Sequence, residues 1–200
     1  MSKLLQINAS VFSQGGQSSQ LANQFVENWK SSHPGASVTC RDLALDPVPH
    51  LDGARVGAFF TPAEQRSEAQ KETVAYSDAL IAEIKDADII VLGVPMYNFG
   101  IPSGLKAYFD HIARAGVTFR YTEKGPVGLI EGKKVVVFAT RGGLYAGTPK
   151  DTQTAYIRDF LGFLGISDVN FVYAEGLNMG EESKTKALQK AHTELAELAA

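Results

Sequence analysis

The sequence predicts an α/β protein: a five-stranded parallel sheet in the order 2-1-3-4-5, held between helices as a three-layer sandwich. Two near-continuous apolar runs, "DADIIVLGVP" (86–95) and "GKKVVVFAT" (132–140), have the character of strands buried on both faces of a parallel sheet. Strand patterns alternate with helical ones along the whole chain, the signature of βαβ units. Right-handed crossovers then leave few topologies. For this order the ligand crevice lies at the carboxyl ends of strands one and three.

Each element has its own warrant. "KLLQINA" (3–9) is the first strand, and from Leu21 a helix follows, with Leu21, Phe25, Val26 and Trp29 at steps of three and four. "ASVTCRDL" (36–43) is the second strand, with Val38 and Cys40 on one side and Cys40 expected as a buried, inert thiol. "ALDPVPHLDG" is loop by its prolines and glycine. A long polar helix spans Pro62 to Lys85, burying Val74, Leu80, Ile81 and Ile84. After the third strand, Pro102 suits the first turn of a helix whose apolar face is Leu105, Tyr108, Phe109 and Ile112. A fourth strand (132–140), a helix over Thr152–Leu164, the strand "VNFVYAE" and a helix from about Glu181 complete the chain. No repeat, low-complexity tract or linker divides it, so residues 1–200 read as one domain.

Composition narrows the function classes. A net charge of −3 with both signs interspersed offers no basic stripe for nucleic acid. The longest apolar stretch, Ile89 to Met96, is strand-sized, which predicts no membrane span. Gln6 and Asn8 interrupt the place where an export signal would be apolar, and Cys40 is the single cysteine, so cytoplasmic residence is the expectation.

Three strand-to-helix loops share the carboxyl rim. "NASVFSQGGQSSQ" (8–20) brings hydroxyls and adjacent glycines to a helix start, a natural phosphate seat, or else a solvated loop with a serine cap. "PMYNF" (95–99) sets a thioether, two aromatics and a carboxamide on a tight turn, unless they simply pack onto the core. "TRGGLYAG" (140–147) offers main-chain N–H groups, or is a plain turn with Arg141 as a surface charge. Together they suit a planar heteroaromatic ring with a phosphate tail, and flavin mononucleotide (FMN) meets the description. Gly16, Gln17 and Ser18 would take the phosphate, at about 1.5–3 kcal/mol for each charged hydrogen bond. Met96 and Tyr97 would cover the ring, Asn98 its pyrimidine edge and Phe99 its side; N–H groups of Gly142 and Gly143 would face the charge that develops near N1 on reduction.

"PMYNF" (95–99), "RAGVTFRYTEKGPVGL" (114–129), "TRGG" (140–143) and "FLGFLGI" (160–166) resemble the FMN-dependent NADH azoreductases, a bacterial quinone-reductase family of flavodoxin-like fold. The resemblance implies a homodimer with one FMN per subunit at the subunit interface. It also implies ping-pong reduction of quinones, or of aromatic azo compounds in two rounds, by NADH or NADPH. Carried over position by position, it places FMN against Ser10, Gly16, Gln17 and Ser18; Met96, Tyr97, Asn98 and Phe99; and Thr140, Arg141, Gly142 and Gly143. Asn98, Tyr121 and Phe163 would approach the substrate. Phe59 and Phe60, in "GARVGAFFTP", either reach across the dimer or anchor a loop in their own core.

No side chain reads as an obligatory acid, base or nucleophile. His33, His50, His111 and His192 lack metal-ligand spacing, so no metal site is expected. That pattern suits a cofactor which carries the chemistry while the protein orients and tunes it. Arg55, Arg114 and Arg120 are the candidate cations for a ribose 2′-phosphate. A flavodoxin-type electron carrier and a flavin-binding sensor are the rival classes. The first would be excluded by direct oxidation of NADH, the second favoured by absence of multiple turnover.

Overall fold

A computed structural model describes residues 2–199. Five parallel strands form the central sheet: β1 (Lys3–Asn8), β2 (Ser37–Asp42), β3 (Ile89–Pro95), β6 (Lys134–Thr140) and β7 (Asp168–Ala174), in the order β2-β1-β3-β6-β7. This is the 2-1-3-4-5 order expected of the five sheet strands. Numbering includes a separate antiparallel hairpin, β4 (Phe119–Thr122) and β5 (Gly125–Gly128), which the sequence reading did not foresee.

The helices are α1 (Gln17–Ser32), α2 (Gly53–Phe60), α3 (Glu68–Asp86), α4 (Ser103–Ile112), α5 (Thr152–Leu164) and α6 (Glu181–Ala199). Strand alternation explains the unbroken apolar runs. In β3, Ile90 and Leu92 join Leu80, Leu105 and Ile157 of α3, α4 and α5 in one core. Val91, between them, joins Leu21, Phe25 and Trp29 of α1 and Leu195 of α6 in the other. Val135 and Val137 of β6 face the first core, Val136 and Phe138 the second. A strand covered on both sides has no polar face to show.

Local chemistry sets the helix ends. Ser67 and Gln70 form a reciprocal capping box at α3, with Ser67 N donating to Gln70 Oε1 at 2.9 Å. Asp151 caps α5 by accepting from Thr154 N at 3.0 Å.

Three expectations are corrected. "GARVGAFF" is a helix rather than a loop, and its two aromatics part company. Phe59 packs on its own chain against His111 and Arg114, whereas Phe60 is exposed. Cys40 is exposed, because β2 is an edge strand with little cover. Partial desolvation and neighbouring Asp42 nonetheless push its thiol pKa above the usual value, which disfavours the reactive thiolate. Finally, α1 starts at Gln17, four residues before Leu21. Its first turn is polar, and the two residues it buries are Ser18 and Ser19, so hydrophobic spacing could not reveal it. Among the described residues, no helix is long and apolar enough to cross a membrane.

Candidate cofactor and substrate cleft

The first loop is shaped by contacts to its neighbours. Ser10 is buried, its Oγ lies 3.3 Å from the Tyr97 hydroxyl, and it accepts from Phe12 N at 3.2 Å. Ser13 has a left-handed φ of 50° and is held there by a 2.5 Å hydrogen bond to Asp42 Oδ2. Gly16 then occupies the cap position of α1 and supplies no side-chain acceptor. A Cβ at Gly16 would lie 2.2 Å from Ser10 Oγ, so only glycine fits. The first-turn amides of α1 therefore face the rim uncapped, at the positive end of the helix dipole. Ser18 Oγ and Ser19 Oγ in that turn are buried without a hydrogen-bond partner. Uncapped amides and orphaned hydroxyls suit an anionic oxygen-rich group, and a phosphate fits them.

The second loop stores strain. Tyr97 and Gly100 exchange main-chain hydrogen bonds of 3.1 and 2.9 Å, and the two residues between them, Asn98 and Phe99, have φ of 50° and 65°. Positive φ at both central positions marks a type I′ turn, tolerable for Asn and costly for Phe. The surroundings enforce it. Buried Gln153 donates to Pro95 O at 3.0 Å, and Thr152 Oγ1 donates to Phe99 O. Phe99 remains half-exposed, edge-on to Tyr145. Met96 and Tyr97 are half-buried and Asn98 is exposed.

The third loop forms a ladder with the loop after β7. Leu177 N donates to Arg141 O at 3.1 Å, Asn178 N to Gly142 O at 3.0 Å and Gly176 N to Gly143 O at 2.9 Å. The ladder uses the carbonyls of Gly142 and Gly143 and leaves their amides outside it.

Arg141 decides against one of the two alternatives the sequence left open. It is no surface charge: the residue is 1% exposed. Its guanidinium donates to Asp151 Oδ1 at 2.8 Å, Glu175 Oε1 at 3.1 Å and Thr154 Oγ1 at 2.9 Å, and lies 5.0 Å from the Tyr173 ring centroid. Its side chain is thus a strut under the rim, leaving only its main chain to meet a ligand. Burial acts to raise the Asp151 carboxyl, but hydrogen bonds from Arg141 and Thr154 outweigh it and hold the pKa below the ordinary value.

These loops enclose a cleft of about 340 Å³. Ser10, Gly16, Gln17, Met96, Tyr97, Thr140, Arg141 and Gly142 line it, all of them named from the sequence. Ser18 is buried in the first turn of α1, while Asn98, Phe99 and Gly143 continue the lining loops. Phe12, Leu177, Asn178 and Lys184 also line it and escaped the sequence reading. For Leu177 and Asn178 the signal was available: "EGLNMG" (175–180) follows the fifth sheet strand and must reach the same rim. None of Arg55, Arg114 and Arg120 is among these lining residues. Arg55 pairs with Asp52, Arg114 with Asp78, and Arg120 is exposed on the hairpin.

Tyr121 and Phe163 lie elsewhere too. Phe119 joins them, with ring centroids 5.4 and 4.2 Å away. The hairpin docks at the far end of α5, where Ile130 N donates to Leu164 O at 2.9 Å and a Cβ on Gly128 would lie 2.0 Å from Gly165 N. That end is at the amino edge of the sheet, next to the start of β7. The 13 residues of α5 span about 20 Å, which separates this pair from Asn98 within one chain.

Fold and site together define a flavodoxin-like protein, with a mononucleotide-sized cleft at the switch point of a parallel sheet. The family model described as flavodoxin-like fold matches residues 2–199. An FMN-dependent NADH:quinone oxidoreductase of Cellvibrio japonicus is 60% identical over 194 residues, covering 97% of this chain and 98% of the relative. Its counterpart from Alcanivorax borkumensis is 62% identical over 192 residues, covering 96% and 97%. An FMN-dependent NADH-azoreductase from Bacillus anthracis, solved in complex with FMN, superposes with a TM-score of 0.90 at 29% identity, covering 100% of this chain and 98% of that one. The chain belongs to the family of FMN-dependent NADH:quinone oxidoreductases, as its motifs imply.

Proposed function

We propose that this protein reduces quinones by two electrons at the expense of NADH and cleaves aromatic azo compounds, as a homodimer whose donor and acceptor use one cleft in turn. The observation that carries the reading is the convergence of uncapped α1 amides, the strained Met96–Gly100 turn and the unladdered amides of Gly142 and Gly143 on one cleft. When bound, FMN supplies reversible two-electron chemistry, accepting a hydride equivalent from NADH and passing it to the acceptor.

The chain's own residues do the rest. Gly16, Gln17 and Ser18 hold the phosphate through main-chain N–H groups, with Ser10 and the Tyr97 hydroxyl closing that side. Met96 and Tyr97 cover ring surface and exclude water. Asn98, held with its carboxamide outward by the turn, orients both the ring edge and the acceptor. The Gly142 and Gly143 amides are fixed donors toward charge arising near N1, and the ladder beneath them removes the need to reorganise.

Two exposed apolar regions support the dimer. Val11, Phe12, Leu45, Phe99, Leu144 and Met179 stand in the loops of the carboxyl rim, and Phe60 at the end of α2; Tyr121, Val127 and Leu129 stand on the hairpin or beside it. Since Tyr121 and Phe163 lie a helix length from their own cleft, they complete the site of a second copy. Reduction of an azo bond to two amines takes two rounds of the same transfer.

The visible spectrum of purified protein tests the reading. A flavin spectrum that bleaches anaerobically with NADH and returns on addition of a quinone is expected. Protein that stays colourless in excess FMN, or bleaches without passing electrons on, refutes it.

A further inference from the structure

The dianionic charge of a flavin phosphate exceeds what one helix end offers, roughly half a charge. Of the cations identified from the sequence, Arg141 is neutralised by Asp151 and Glu175, and Arg55, Arg114 and Arg120 do not line the cleft. Lys184, in the first turn of α6, is half-buried and lines the same cleft as Gly16 and Gln17. Helices α1 and α6 pack on the same sheet face, so their amino ends lie side by side at the rim. Among the described residues Lys184 has no ion-pair partner, whereas its neighbour Glu182 is taken by Lys186 at 2.6 Å. Ser183 Oγ donates to Gly176 O at 2.9 Å and Lys184 N to Gly180 O at 3.0 Å, which fix the turn that carries the lysine. Lys184, half-buried, unpaired and lining the cleft together with Gly16 and Gln17 at the uncapped start of α1, is placed to meet an anion.

We propose that Lys184 supplies the counter-charge for the FMN phosphate and so sets the preference for FMN over unphosphorylated riboflavin. The inference rests on the cleft being the FMN site. It is tested by titrating FMN and riboflavin separately into the full chain freed of flavin, following fluorescence quenching. Lys184→Met weakens FMN binding about 10- to 100-fold, the size of one charged hydrogen bond, and leaves riboflavin binding unchanged. Lys184→Arg restores most of the loss, and added salt narrows the gap between wild type and Lys184→Met. Unchanged FMN affinity in Lys184→Met overturns the proposal, as does an equal loss for riboflavin, which would make the lysine a packing residue. A rise in KM for the reduced nicotinamide nucleotide alone assigns Lys184 to the reductant and also overturns it. Wild type that binds neither flavin refutes the cleft assignment itself, a result distinct from all of these.

Discussion

The carboxyl rim and the β4–β5 hairpin both expose apolar side chains, but opposite means hold them in place. The rim stands on buried polar struts: Arg141 on Asp151 and Glu175, Gln153 on Pro95, Asp42 on Ser13. The hairpin is seated by close backbone approach at Gly128 and Gly165 and by packed rings at Phe119 and Phe163. A surface that must bind charge and ring edges needs fixed dipoles beneath it, and polar struts fix dipoles. A surface that covers a ligand needs only shape, which packing supplies.

The largest expected effect strikes the struts. Arg141→Leu leaves Asp151 and Glu175 buried without their cation, and costs about 3–5 kcal/mol in denaturant unfolding together with retention of FMN. Its pH dependence has a definite sign. The folded pKa of Asp151 lies below its ordinary 3.8, so its stabilisation is full above that value and fades as pH falls through the folded one. The gap between wild type and Arg141→Leu accordingly narrows below about pH 4. An undiminished gap there would place the strut's strength elsewhere.

Next comes the hairpin. Gly128→Ala forces a methyl against Gly165 and costs about 1–3 kcal/mol. FMN affinity per folded chain is retained while quinone turnover falls. If FMN affinity falls instead, the two regions are not separable. Tyr121→Phe leaves the unfolding curve in place. Asn98→Ala lowers stability by about 1 kcal/mol, because alanine tolerates the left-handed turn less well than asparagine. Each slows turnover about tenfold, the size of one hydrogen bond; unchanged steady-state rates would remove both from the mechanism. The smallest effect belongs to Phe99→Gly. Relief of its left-handed backbone offsets loss of the Tyr145 edge contact, and stability moves by less than about 1 kcal/mol.

What could be read from the sequence follows the same division. Packing was legible: the runs at 86–95 and 132–140 gave β3 and β6, and α5 begins and ends where Thr152 and Leu164 suggested. Apolar periodicity reports burial directly, so sheet order and crevice followed from it. Polar struts were not legible. Nothing local to "TRGG" says that its arginine turns inward, because Asp151 and Glu175 lie 10 and 34 residues away. The hairpin hid behind glycine and proline, which carry no strand signal in "KGPVG". Most of the cleft lining was named because loop position follows from topology. Leu177 and Asn178 were missed for want of a fourth loop in the same reasoning, and Lys184 because it sits on the helix that follows that loop. Phe12 was missed because an exposed aromatic inside the first loop carries no local mark of what it faces.

The length of α5 has an outcome that can be watched by mixing chains. With the nucleotide seat and the Tyr121–Phe163 pair at opposite ends of that helix, each working centre in the proposed dimer borrows one half from the other copy. A chain crippled at Gly16 and another crippled at Tyr121 would each be slow alone. Co-refolded, they would regain one intact centre per hybrid pair, so that two defective products complement each other in a single tube.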